Sequence, residues 1–306
     1  MLAPARHCRH NRALSVVALL EACRPRQWVK NLFVAAPLIF ARRLNDLPQA
    51  GRAAAALGLF CALSSAVYLW NDLVDIEKDR AHPKKRDRPI PSGRLAISTA
   101  RWAAVVLSVG ALLGAVFLSL NFAFVAAGYL LLNVAYSLKL KRIVYIDVLS
   151  IAAGFLLRVV GGGLAIAVWV SPYLLICTGL LATFAGFGKR AHELAVAGHN
   201  ASKQRAVLQS YDPQILRGAL WVTGLATVAA YVVYTLSKHT ADFFHTTRMV
   251  WTVPFAAFAL LRFAQIVSRE DSHDSPTDAM LKDPAFLANL VIYGSMVIGV
   301  IYLFPG

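Results

Sequence analysis

Acidic residues are scarce in this sequence, with 16 Asp and Glu against 31 Lys and Arg in 306 residues. Charge of either sign is thin at 15% of positions, while hydrophobic residues reach 58% and mean hydropathy is +0.57. That composition excludes an ordinary soluble domain. Cysteine is sparse: Cys8, Cys23, Cys61 and Cys177 have no metal-ligand spacing, and two of them fall inside apolar runs. A disulfide framework and a zinc cluster are both excluded. Long polar stretches are missing as well, since the longest is about 20–25 residues and leaves no room for a soluble domain between apolar runs. The alternating ten-residue segments of a membrane barrel do not occur either.

What fills the sequence is a series of apolar runs of helix length. Nine spans are predicted, at about 28–44, 52–74, 98–118, 121–138, 145–168, 170–189, 214–236, 247–267 and 284–304. Each approaches the roughly 20 residues that a helix needs to cross a bilayer. In lipid every backbone polar group must be paired within the protein, so the expected fold class is all-α integral membrane. The first span is the least regular, with Lys30 and Asn31 near its start and Pro37 inside it. Ahead of it, Arg6, Arg9 and Arg12 precede the short apolar stretch 13–20, which resembles a signal peptide. Glu21 and Arg24-Pro25-Arg26 cut that stretch off, so residues 1–27 are read as a cytoplasmic interfacial segment. Residues 28–306 form a single membrane domain.

The net charge of +15 does not point to nucleic acid, because the cations sit in short loops between spans. The N-terminus and the loops after even-numbered spans hold 25 of the 31 basic residues, the opposite side five, and Arg158 lies inside span 5. This positive-inside bias places the N-terminus in the cytoplasm and the C-terminus outside the cell membrane.

The few acids are concentrated. Asn71-Asp72-Leu-Val-Asp75-Ile-Glu77-Lys-Asp79 closes span 2. At about 100° per residue, Asn71, Asp72, Asp75 and Asp79 share one helix face and Glu77 points away. Stacked like charges repel, so a cationic partner is expected, and hard oxygen ligands suit Mg²⁺ with a phosphate-bearing substrate. The alternative is a solvated helix end paired with Lys78 and Arg80. The following loop carries Lys84, Lys85, Arg86 and Arg88 among prolines. It suits phosphate gripping, with a topogenic or lipid-contact role as the alternative. Span 6 ends in Lys189-Arg190-x-x-Glu193, where Lys189 and Glu193 share a face at i,i+4. Arg26, Lys30 and Asn31 at span 1, Tyr136 and Lys141 after span 4, and Tyr211 before span 7 complete the substrate-binding candidates on the same side. Arg158, beside Gly161-Gly162-Gly163, is the one charge deep in a span, with Asp147 or another helix as its prospective partner.

Asn71-Asp72-x-x-Asp75-x-x-x-Asp79, with Arg24-Pro-x-x-Trp28-x-Lys30-Asn31 and Tyr136-Ser-x-x-Leu140-Lys141, resembles the UbiA superfamily of intramembrane prenyltransferases. The resemblance covers nearly the whole chain. It implies nine helices around a central cavity under a cytoplasmic cap, with Asn71, Asp72, Asp75 and Asp79 as Mg²⁺–diphosphate ligands. Members that prenylate aromatic acceptors carry a second Asp-x-x-x-Asp at span 6. Here Lys189-Arg190-x-x-Glu193 stands instead, which is similar to the decaprenyl-phosphate phosphoribosyltransferase branch, as is the stretch Asp79–Pro89. The resemblance then implies transfer from 5-phosphoribosyl 1-diphosphate to a polyprenyl phosphate, with Asp72, Asp75, Asp79 and Lys189 catalytic and Arg190 and Glu193 at the substrate. An aromatic-acceptor prenyltransferase is the alternative within the fold. A secondary transporter is the alternative of another class, although transporters keep their ionisable groups near the midplane. The bilayer is the expected partner, and homo-oligomer formation is left open.

Overall fold

The computed structural model describes residues 15–81, 85–197, 206–268 and 276–303. It is helical throughout. In chain order the helices are α1 over 15–22, a 3-10 segment Pro25–Val34, α2 Ala36–Phe40, α3 Leu47–Val74, α4 Ile76–Arg80, α5 Ile97–Leu118 and α6 Leu120–Leu138. They continue as α7 Ile146–Ala165, α8 Pro172–Ala197, α9 Pro213–Leu236, α10 Lys238–Phe244, α11 Val253–Val267, α12 Pro276–Lys282 and α13 Pro284–Ile298.

The boundaries follow local chemistry. Asp46, Asp212 and Asp283 each precede a helix with proline in its first turn, and each carboxylate accepts a hydrogen bond from a backbone N–H of that turn. Such a residue satisfies donors that the helix cannot pair itself, while proline there loses nothing. Ser119 caps α6 in the same way. At the same end of the bundle as Ser119, Arg52 donates to the carbonyls of Leu118 and Ala165, each at 2.7 Å. It thereby covers unpaired carbonyls where α5 and α7 finish.

Among the described residues eight segments are helices long and apolar enough to cross a membrane. The remaining expected span, the first at 28–44, is not a regular helix. Pro25 and Pro37 each remove a backbone donor, and the stretch runs as ten residues of 3-10 helix followed by five of α-helix. At about 2.0 Å per residue for 3-10 and 1.5 Å for α, it still extends roughly 28 Å, close to a hydrocarbon core of about 30 Å. The segment lies against α3 and α7. A Cβ on Gly162 would fall 1.9 Å from the Val34 carbonyl oxygen. Only glycine lets these two backbones approach so closely, which accounts for part of the glycine run beside Arg158.

Around this inner segment the long helices form a ring in which each packs on the next, from α3 through α5, α6, α7, α8, α9 and α11 to α13. Tyr302 closes the circle. Its hydroxyl donates to the carbonyl of Ile39 at 2.9 Å and accepts from the Leu44 N–H at 3.1 Å, beside a core of Phe244, Met249, Val297 and Ile301. The outer faces of α5 and α6 carry exposed Trp102, Val106, Phe117, Phe124 and Leu131. An apolar outer face against a packed interior is the arrangement lipid requires. α1 packs Ala18 and Ala22 on Leu69, Ile90 and Leu95. Its other face leaves Val16, Val17 and Leu20 exposed. Residues 1–14 of the expected interfacial segment, with Arg6, Arg9 and Arg12, lie outside the described residues.

Candidate active site

A cavity of about 2870 Å³ lies within the ring, and the acidic end of α3 lines part of it. It exceeds the roughly 300–1,000 Å³ of an ordinary small-molecule pocket, so more than one reactant fits. One wall is the end of α3 with α4. Asp75 interrupts the helix there with φ −98° and ψ 13°. The four residues therefore do not lie on one straight face, as the 100° wheel predicts. Asp72, Asp75 and Asp79 line the cavity. Asn71 also borders it, but its side-chain oxygen accepts from the Ser137 hydroxyl on α6.

Each carboxylate is held by cations from elsewhere in the chain. Asp72, 2% exposed, takes Arg24 at 2.5 Å and Arg88 at 3.2 Å. Arg88 also reaches Asp79 at 2.7 Å, with Lys85 3.8 Å from the same carboxylate. Asp75 accepts from Lys141 at 2.7 Å, with Lys78 at 3.9 Å. Arg24 lies over the Tyr68 ring at 4.9 Å. It adopts φ 53°, a left-handed conformation that non-glycine residues seldom hold, at the turn that aims it toward Asp72. Like charges packed together are thus neutralised by basic side chains from four separate segments.

Among the described residues no three of His, Cys, Asp or Glu converge within reach of one metal ion. The donor set nevertheless fits a hard divalent ion. Three carboxylates and an amide supply only oxygen donors, they face one cavity, and such an ion fills its remaining positions with water and phosphate oxygens.

Another part of the lining is basic and built differently. Lys30, Arg158, Lys189 and Glu193 line the cavity. Lys189 sits 4.0 Å from Glu193, the expected i,i+4 pair. Arg190 departs from its expected place. It is 0% exposed, with Nε 3.2 Å from Asp147 on α7 and Nη1 on the Glu193 carboxylate. One residue further round α8 than Lys189, it points about 100° away, into the α7–α8 contact. Tyr211 also sits behind the cavity. Its hydroxyl donates to Asp147 at 2.5 Å and accepts from the Tyr145 N–H at 2.9 Å. Burial, reinforced by the Asp147 carboxylate, pushes its phenol above the ordinary tyrosine range, so it stays a donor. Asp147 is therefore the partner of Arg190 and Tyr211, not of Arg158.

Of the other expected residues, Arg26, Tyr136 and Lys141 line the cavity. Asn31 is fully buried and spends its amide on Ser64, Cys61 and Arg158. Arg86 faces outward near Asp87, and Lys84 lies outside the described residues. Sequence reasoning missed Tyr68, Tyr129 and Asp278, which also line the cavity. Tyr68 lies one turn before Asp72 on α3, where i,i+4 spacing could have found it; nothing in the local sequence marks Tyr129 and Asp278, because α6 and α12 meet the acid wall only through the ring.

With this geometry established, the chain was compared with known proteins. Residues 32–290 match the UbiA prenyltransferase family. The chain belongs to that family. It is 34% identical to the decaprenyl-phosphate phosphoribosyltransferase of Mycolicibacterium smegmatis over 88% of this chain and 87% of that one. It is 33% identical to the Corynebacterium glutamicum protein of the same name, over 94% and 87% respectively. Among solved structures it resembles a UbiA homologue from Archaeoglobus fulgidus bound to dimethylallyl diphosphate (DMAPP) and Mg²⁺. There the TM-score is 0.67 at 18% identity, over 94% of this chain and 99% of the other. That structural likeness establishes the fold, a multi-pass membrane bundle of helices. The basic stretch from Arg24 to Asn31 precedes the matched region, so its place in the site rests on the contacts described above.

Proposed function

We propose that this enzyme moves the 5-phosphoribosyl group from 5-phosphoribosyl 1-diphosphate to a polyprenyl phosphate, releasing pyrophosphate with inversion at C1. The observation that carries the reading is the makeup of the cavity lining. Three carboxylates clasped by Arg24, Arg88 and Lys141 line one cavity together with Lys30, Lys189 and Arg158. Two phosphorylated reactants bring three phosphate-bearing groups, and surplus cations offset that charge where low dielectric magnifies it. The relatives of about one-third identity carry the corresponding name.

Asp72, Asp75 and Asp79, with Asn71, would hold Mg²⁺, which supplies positive charge to the diphosphate when bound. Arg88, Lys141 and Arg24 surround that wall and stabilise the negative charge that gathers on the leaving oxygen. Lys189 faces the same space. The C1–oxygen bond to diphosphate breaks with its electron pair leaving on pyrophosphate. An oxygen of the lipid phosphate then forms the new bond from the opposite face. No general base is required, since a phosphate monoester with second pKa near 6 is already ionised at neutral pH. Catalysis is mainly positioning and electrostatics.

The acidic end lies on the cytoplasmic face of the cell membrane and the chain ends outside, following the bias of basic loops. α1 rests in the interface through Val16, Val17 and Leu20, its exposed apolar stripe. The test is incubation of purified protein with labelled phosphoribosyl diphosphate and polyprenyl phosphate. Mg²⁺-dependent label in the lipid is expected. Absence of that label, with prenyl transfer to an aromatic acid instead, would overturn the proposal.

A further inference from the structure

Arg158 is an unusual charge. It is 6% exposed, it lies in α7, and among the described residues no carboxylate pairs with it. Its hydrogen-bond partners are all neutral: Nε donates to Asn31 Oδ1 at 2.8 Å, Nη1 to the Gly154 carbonyl at 2.9 Å and Nη2 to the Tyr129 hydroxyl at 2.9 Å. The guanidinium also lies over the Tyr129 and Phe155 rings at 4.7 and 5.3 Å. These contacts orient a cation without cancelling it, and a desolvated charge left uncompensated is costly. A guanidinium has five N–H donors. Three are spent here, leaving one on each terminal nitrogen, the fork that grips a phosphate.

Lys30 adds a second cation. It lines the same cavity, forms no ion pair among the described residues, and lies within electrostatic reach of Arg158, Lys189 and Arg24, with Asp278 the nearby acid. The next residue, Asn31, ties this pair to α3 through Ser64 at 3.0 Å. Ser64 precedes Asp72 by eight residues of continuous helix, so the basic pair sits about 12 Å deeper along α3 than the acid wall. That offset separates it from the diphosphate site.

We infer that Lys30 and Arg158 form a second anion subsite, deep in the cavity, that takes a phosphate monoester dianion. This rests on the proposed reaction for its ligand, since both reactants carry such a group: the donor at its 5-position and the acceptor at its lipid end. Asn31 and Tyr129 are positioning residues that hold the guanidinium fork toward the cavity.

The test uses full-length protein in nanodiscs, with Arg158→Gln and Lys30→Gln. Lys30 forms no ion pair among the described residues, so its variant serves if Arg158→Gln fails to fold. Loss of one or two charge-assisted contacts should raise one KM about 10- to 100-fold, with less change in kcat. If the donor's 5-phosphate occupies the subsite, wild type rejects ribosyl 1-diphosphate lacking that phosphate and the variants lose the discrimination. If the lipid phosphate occupies it, KM for polyprenyl phosphate rises and that for the donor holds. Binding of inorganic phosphate, read as a rise in melting temperature of wild type but not of Lys30→Gln, tests the subsite without turnover. If wild type transfers no phosphoribosyl group yet binds phosphate through Lys30, the proposed reaction fails and the subsite stands. Both KM values within threefold of wild type, together with unchanged phosphate binding in the variants, would refute the subsite.

Discussion

Replacing Arg190 with Met separates a structural role from a substrate contact at the residue where the chain's pattern and its fold disagree. Arg190 and Asp147 are both 0% exposed, so solvent screening does not soften the change. Removing the guanidinium strands the Asp147 carboxylate with Tyr211 as its remaining donor and releases Glu193. Breaking a buried ion pair by deleting one partner costs about 3–5 kcal/mol. At about 2–4 °C per kcal/mol for chains approaching this size, the apparent melting temperature should fall by roughly 6–20 °C. The free thiols of Cys23, Cys61 and Cys177 are buried or half-buried, so a thiol-reactive dye reports unfolding directly. Adding Asp147→Asn to Arg190→Met should recover part of the loss, because the stranded charge is gone. The KM for both substrates should stay within about threefold of wild type, 1.4 kcal/mol being tenfold. An unchanged melting temperature together with a KM raised a hundredfold would refute this reasoning and return Arg190 to the substrate.

Asp75→Ala, at a half-exposed carboxylate held by Lys141 at 2.7 Å, should lower kcat by about 10²–10³ or more while melting stays near wild type. Retained turnover would remove Asp75 from the metal-binding wall. Arg52→Met should act at the far end of the bundle, uncovering the carbonyls of Leu118 and Ala165. A loss of about 1–3 kcal/mol per orphaned group is expected, with KM unaffected in the folded fraction. Gly162→Ala should displace the Pro25–Val34 segment, since its Cβ would lie 1.9 Å from Val34 O. Reduced activity and increased proteolysis near residue 34 are the readout, and wild-type behaviour would show that the two backbones are not in contact. Titrating Mg²⁺ into metal-free protein with pyrophosphate present should raise the melting temperature by mass action, and Asp79→Asn should blunt that rise.

Much of the protein follows from composition and order alone. Apolar runs of span length compel helices, because lipid offers no partner to a backbone polar group. The acids at Asn71–Asp79 are legible as a site, because nothing else justifies concentrating scarce carboxylates on one stretch. Lys189 and Glu193 pair as an i,i+4 spacing dictates. Local chemistry does not reach further. The break at Asp75 and the turning of Arg190 into the α7–α8 contact depend on what each meets from distant parts of the chain. Arg24, Arg88 and Lys141 become partners of the acids only when the ring closes. Periodicity reports which residues share a face of one helix, and a wheel drawn for a straight helix cannot show where the helix breaks or which cations another segment will deliver. The sequence by itself determined a membrane-embedded helical enzyme with an acidic site at one end. The tertiary structure decided which charges cancel one another, as Arg190 and Asp147 do, and which, like Arg158, remain open toward the cavity.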